Sequence, residues 1–92
     1  MLLVMKKQTR EVLEFIAEKV NTPEEYDAFL SDLLTPKEYK DLLDRVRICQ
    51  ELSDGKTVKQ VCEKVGVASA TVVRGNRVLK YGTRFVREIF GW

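Results

Sequence analysis

Apolar residues recur at spacings of three and four along almost the whole chain, and no stretch alternates as a half-buried strand does. Residues 8–20 place Val12, Phe15, Ile16 and Val20 on one stripe, which predicts a first helix. Thr22, Pro23 and Glu25 then stand in the order of a helix start. The threonine is an N-cap, the proline lacks an N–H that the first turn cannot use, and the glutamate closes a capping box. Behind them Tyr26, Phe29, Leu30, Leu33 and Leu34 line one face. Thr35, Pro36 and Glu38 repeat the device. Tyr39, Leu42, Leu43, Val46, Cys49 and Leu52 follow at spacings of three and four, predicting a helix of about 17 residues that ends at Gly55. Thr57 caps toward Gln60, and Val58, Val61, Cys62 and Val65 make a short buried helix broken at Gly66. Ser69 caps a further helix running to about Lys80. Gly82 turns the chain, and Phe85, Val86, Ile89 and Phe90 form a last amphipathic piece. The pattern predicts an all-α fold of six helices in one domain over residues 1–92, without a long linker or low-complexity stretch. The two Thr-Pro-x-Glu segments are helix starts and not a repeat.

Residues 57–80 read as a helix-turn-helix. Such a motif needs a small residue where its helices cross, a turn residue free to take positive φ, and apolar residues holding the second helix down. Cys62, Gly66, and the set Val67, Val72 and Leu79 meet those needs. An ordinary helix pair copies the same pattern. The second helix contains Gly75, although a glycine inside a helix costs about 1 kcal/mol relative to alanine. At about 100° per residue, Val72, Gly75 and Leu79 point toward the body. Ser69, Ala70, Val73 and Arg77 lie on the other side, with Arg74 at the edge.

Composition adds exclusions. The 92 residues are 45% hydrophobic and 33% charged, as in an ordinary globular domain and unlike a disordered or disulfide-rich chain. The opening "MLLVMKK" is too short for a signal-peptide core or a membrane span, and its lysines follow the apolar run. A cytoplasmic location is expected, with no membrane partner. Leu2, Leu3, Val4 and Met5 call for burial, and a chain this small offers little room, which argues for a dimer. Cys49 and Cys62 fall on apolar-periodic positions, have no metal-ligand spacing, and read as small buried hydrophobes. There is no histidine, no nucleophile elbow, no phosphate loop and no zinc-protease motif, so nothing argues for an enzyme or a bound metal.

Charge changes the picture more. Residues 1–55 carry 8 Lys/Arg and 12 Asp/Glu, whereas residues 56–92 carry 8 Lys/Arg and 2 Asp/Glu. The basic half contains the helix-turn-helix and suits a polyanion, with double-stranded DNA the first candidate partner; a solvated lysine-rich surface is the plainer reading. A recognition helix reads base edges with its N-terminal residues. Here these are Ser69, Ala70, Thr71 and Val73, suited to thymine methyls or water-mediated contacts and lacking bidentate groups. Lys56, Lys59, Lys64, Arg77 and Lys80 suit phosphates, with Gln60 added as a candidate contact beside Lys59. Weak direct readout and strong salt dependence are expected.

Two segments, "LTPKEYKDLLDRVRICQEL" and "GKTVKQVCEKVGVASATVVRGNRVLKYG", together resemble the Trp repressor family over residues 34–82. "LTP", "RVRI" and the arginine–glycine pair after "SATVV" carry the resemblance. "GKT", "ASATV" and "LKYG", and a first motif helix one residue shorter, are more similar to its YerC/YecD-type branch. The resemblance implies an intertwined all-α homodimer, a two-fold DNA operator, and L-tryptophan as a corepressor that sets the tilt of the recognition helix. The family's tryptophan-site positions fall on Thr35, Arg45, Arg74 and Gly75, each with the family's residue, while Val78 replaces a serine near the ligand's amino group. Two arginines suit an aromatic ring and its carboxylate. Each position also has a plainer role. Thr35 is an N-cap, Arg45 has Asp41 and Asp44 nearby, Arg74 suits a phosphate, and Gly75 permits close helix packing.

Three functions fit: a dimeric repressor gated by an amino-acid-like effector, a ligand-independent DNA binder of the same fold, and a helical protein–protein module with a basic end.

Overall fold

The computed structural model describes residues 4–92. They form six helices, with no strand among the described residues: α1 (Lys7–Lys19), α2 (Pro23–Leu33), α3 (Pro36–Ser53), α4 (Val58–Val65), α5 (Ser69–Tyr81) and α6 (Arg84–Ile89). The chain divides into two compact units, one up to Tyr39 and one from Lys40 onward, with the boundary inside α3.

In the first unit, helix starts follow their caps. The Glu25 N–H donates to Thr22 Oγ1 at 3.1 Å, and the Glu25 carboxylate accepts from the Thr22 N–H at 3.1 Å. Thr35 and Glu38 close a second box in the same way, at 3.2 and 2.9 Å. The Tyr39 hydroxyl donates to Asp27 across 12 residues, a link that no helical spacing foretells. Val20, expected inside α1, is its extended C-cap and is buried. The rest of the expected stripe is not a core: Val12 and Phe15 are 59% and 57% exposed. Leu2 and Leu3 lie outside the described residues; Val4 and Met5 are exposed.

The second unit holds the core, with Ile48, Cys49 and Leu52 of α3 packing with Val61 of α4 and Val72 and Leu79 of α5. The inner face of α3 differs from the expected one. Cys49 and Leu52 are buried, but Leu42, Leu43 and Val46 are exposed, and Ile48 and Asp44 take their place inside. α3 has two apolar faces, and periodicity alone does not say which one meets α4 and α5. Asp44 is buried but paired with Lys40. α3 ends in a Schellman motif: the Lys56 N–H donates to the Glu51 carbonyl, the Gly55 N–H donates to the Leu52 carbonyl, and Gly55 has φ 89°.

Candidate nucleic-acid interface

The helix-turn-helix is built from α4, a three-residue turn and α5. Thr57 caps α4 in a complete box: the Gln60 N–H donates to Thr57 Oγ1 at 3.2 Å, and the Thr57 N–H donates to Gln60 Oε1 at 2.9 Å. Gln60, one of the expected DNA contacts, is thus already engaged as a capping residue, though exposed. Gly66 ends α4 at φ 79°, in the left-handed region that an L side chain enters at a cost. Val67 then tucks against the core, and the chain starts α5.

Ser69 is not the N-cap of α5. Ala68 holds that place without a side-chain cap, and Ser69 is the first helical residue. The turn accounts for this, because Val67 must reach the core and leaves only one residue before the helix. Both the Thr71 and Val72 N–H groups donate to the Ala68 carbonyl.

The division of α5 into two faces follows its period. Val72, Gly75 and Leu79 are buried, whereas Ser69, Ala70, Thr71, Val73, Arg74, Arg77 and Lys80 are exposed. Gly75 meets α3 directly. A methyl group built on it would overlap Ile48 Cγ2 and lie 3.3 Å from Ile48 Cβ. The Cys49 thiol donates to the Gly75 carbonyl at 3.7 Å. Close packing against α3 is therefore sufficient reason for the glycine. Burial pushes the Cys49 thiol pKa up, opposed by the nearby Arg45 charge, as suits a thiol packed in the core. Cys62 is half-buried against the same core, and both cysteines are free.

The basic residues of the motif fall into two groups. Lys59, Arg74, Arg77 and Lys80 are exposed and form no ion pair among the described residues. Lys56 and Lys64 are both held by Glu51, at 2.9 and 2.8 Å. The Lys64 and Lys56 ammonium groups beside the Glu51 carboxylate hold its pKa below the ordinary 4.5; Glu51 in turn raises Lys56 above 10.5. Sequence reasoning missed Glu51, because it precedes its two lysines by five and thirteen residues and neither is a helical neighbour spacing.

Of the four expected ligand positions, Arg45, Arg74 and Gly75 belong to the second unit and Thr35 to the first. Gly75 adjoins Ile48 and Cys49, three and four residues beyond Arg45 on α3. Asp44, one expected partner of Arg45, is taken by Lys40. Thr35 closes its capping box, and Val78 is half-buried against the core.

An all-α chain presenting the exposed face of a helix packed behind a tight turn belongs to the helix-turn-helix proteins. The family model described as Trp repressor protein matches residues 7–90, and the chain belongs to that family of DNA-binding regulators. A solved structure described as a TrpR-like protein from Eubacterium eligens ATCC 27750 is similar over 92% of this chain and 88% of its own, with 29% identity and a TM-score of 0.80. No curated protein matches the chain. No helix among the described residues is long and apolar enough to cross a membrane.

Proposed function

We propose that the protein is a transcriptional repressor that binds double-stranded DNA as a homodimer, with α5 of each copy as the recognition helix. The observation that carries this reading is the two-faced α5: Val72, Gly75 and Leu79 anchor it, and Ser69, Ala70, Thr71, Val73, Arg77 and Lys80 stand exposed beyond the core. Family membership supports the same reading. In a two-fold dimer the recognition helices reach successive major grooves when they lie about 34 Å apart. The dimer is supported by unpartnered apolar side chains, with Phe15 at 57% and Leu33 at 67% exposure. Small hydroxyl and methyl groups at the start of α5 read bases weakly, so phosphate contacts by Lys59, Arg77 and Lys80 supply most of the affinity.

The test is a gel shift on genomic fragments over a salt series. Retardation at low salt that fades as salt rises supports the proposal; its absence at low salt overturns it. Arg77→Ala weakens binding across all fragments if Arg77 holds a phosphate, whereas a loss confined to one fragment assigns it to a base.

In the gated form of this function, an amino-acid-like effector such as L-tryptophan sits at Arg45, Arg74 and Gly75 of the second unit and shifts the population toward the α5 tilt that fits DNA. A ligand-independent form is favoured by one observation: Ile48 and Cys49 already pack on Gly75. Adding L-tryptophan and other amino acids to the binding assay separates the two. Unchanged affinity, with Arg45→Ala still binding DNA, assigns the ligand-independent form.

A further inference from the structure

Glu51 lies near the end of α3 with its side chain only 16% exposed. Its two oxygens are divided between two lysines, with Lys64 Nζ 2.8 Å from Oε1 and Lys56 Nζ 2.9 Å from Oε2. The lysines come from opposite ends of α4: Lys56 precedes the Thr57 cap, and Lys64 is in the last turn. Both keep solvent access, at 35% and 53% of the side chain, while the carboxylate between them is largely covered. No other acid among the described residues pairs with a cation of residues 56–81.

This arrangement bears on DNA binding through simple electrostatics. A phosphate approaching Lys56 or Lys64 meets an ammonium whose charge is already shared, and feels repulsion from Glu51 a few ångströms behind it. Salt dependence counts the cations that exchange counter-ions for phosphates, at about 0.9 logarithmic units of slope for each. Cations held by an internal carboxylate contribute little to that count.

We propose that Glu51 is a built-in competitor for DNA phosphate, which withholds Lys56 and Lys64 from the backbone and so lowers both the affinity and the salt dependence of the motif. The inference rests on the DNA-binding reading above. It makes Glu51 an affinity-setting residue that touches neither base nor phosphate. The unpaired cations Lys59, Arg77 and Lys80 carry the contact, and the repressor is kept from clinging to every duplex it meets.

The test is fluorescence anisotropy of the full chain with a labelled mixed-sequence duplex, between about 50 and 200 mM salt. Glu51→Gln keeps the side-chain shape and removes the charge. It should steepen the slope of log K against log salt by about 1–2 and tighten binding several-fold at the low-salt end. Lys64→Ala added to Glu51→Gln should take back about half of the gain. Should Glu51→Gln not fold, the parent background decides: Lys59→Ala should lower the slope by about 1, and Lys64→Ala should leave it nearly unchanged. If Glu51→Gln binds with an unchanged slope, or more weakly, or if Lys64→Ala lowers the parent slope as much as Lys59→Ala does, the inference is overturned and Glu51 only positions α4. A parent chain that binds no duplex at the lowest salt is a different outcome, which removes the DNA-binding reading and this inference with it.

Discussion

Gly75 is where one missing methyl group decides how two helices pack. Ile48 projects its branched Cγ2 into the space that a side chain at position 75 would need. Cγ2 is fixed to Cβ and does not swing aside as the end of a long side chain does. Gly75→Ala gains about 1 kcal/mol of helix propensity but forces overpacking that costs about 1–3 kcal/mol, so the balance falls on the destabilising side. Thermal melting should show Tm lower by several degrees, and a higher Tm would contradict the packing argument. Ile48→Leu moves the branch away from Cβ. In the Gly75→Ala background it should cost less than in the parent, a coupling that a double-mutant cycle reads directly. The same contact bears on the effector question, since a ligand approaching the Gly75 backbone has to find room beside Ile48.

At the scale of the element, α4 is the helix whose ends are most completely specified. Eight residues are too few to hold a helix by propensity alone. Its start is closed by the Thr57–Gln60 box, its end by left-handed Gly66, and its inner face by fully buried Val61. Thr57→Ala should cost about 1 kcal/mol. Gly66→Ala should cost about 1–2 kcal/mol, through backbone strain alone, because no atom stands within 4 Å of the added carbon. Urea unfolding of the two variants checks both figures. Equal stability of the Gly66 variant and the parent would mean that the turn has rearranged. α3 shows the opposite behaviour, with an apolar pattern serving two faces, of which Ile48, Cys49 and Leu52 form the buried one.

For the whole molecule, charge and uncovered apolar surface set the conditions of stability. Glu51, Glu38 and Glu25 have pKa values below the ordinary 4.5. The causes are the Lys64 and Lys56 ammonium groups at Glu51, the Thr35 backbone N–H at Glu38, and the Asn21 and Thr22 N–H groups at Glu25. A carboxyl lowered by folding contributes stability above its unfolded pKa and loses it as pH falls through the folded value. Tm should therefore hold at neutral pH and fall below about pH 4.5 as these three groups protonate. Lys56, raised by Glu51, acts in the opposite sense: its contribution is present below 10.5 and lost above its folded value. A melting series from acid to alkaline pH reads both limbs, and a Tm that rises on acidification would contradict the assignment. The proposed homodimer is a property of the same scale. Sedimentation at micromolar concentration should give twice the chain mass, and Phe15→Lys should reduce it; a stable monomer of the parent chain would overturn the dimer.

Much of this architecture is legible along the chain because its determinants act over a few residues. The Thr22, Thr35 and Thr57 caps, the left-handed glycines at positions 55 and 66, and the two faces of α5 each depend on neighbours within about one or two helical turns. The expected cap at Ser69 failed because the core's demand for Val67 overrode the local signal, leaving Ala68 at the helix start. Contacts between elements had no comparable trace. Nothing in the spacing says that Ile48, and not Leu42, Leu43 or Val46, faces α5, or that Glu51 gathers Lys56 and Lys64. Helix formation is written in local hydrogen bonds and periodicity. Which face is buried, and which cations remain free, is decided only when packed helices bring distant residues within reach.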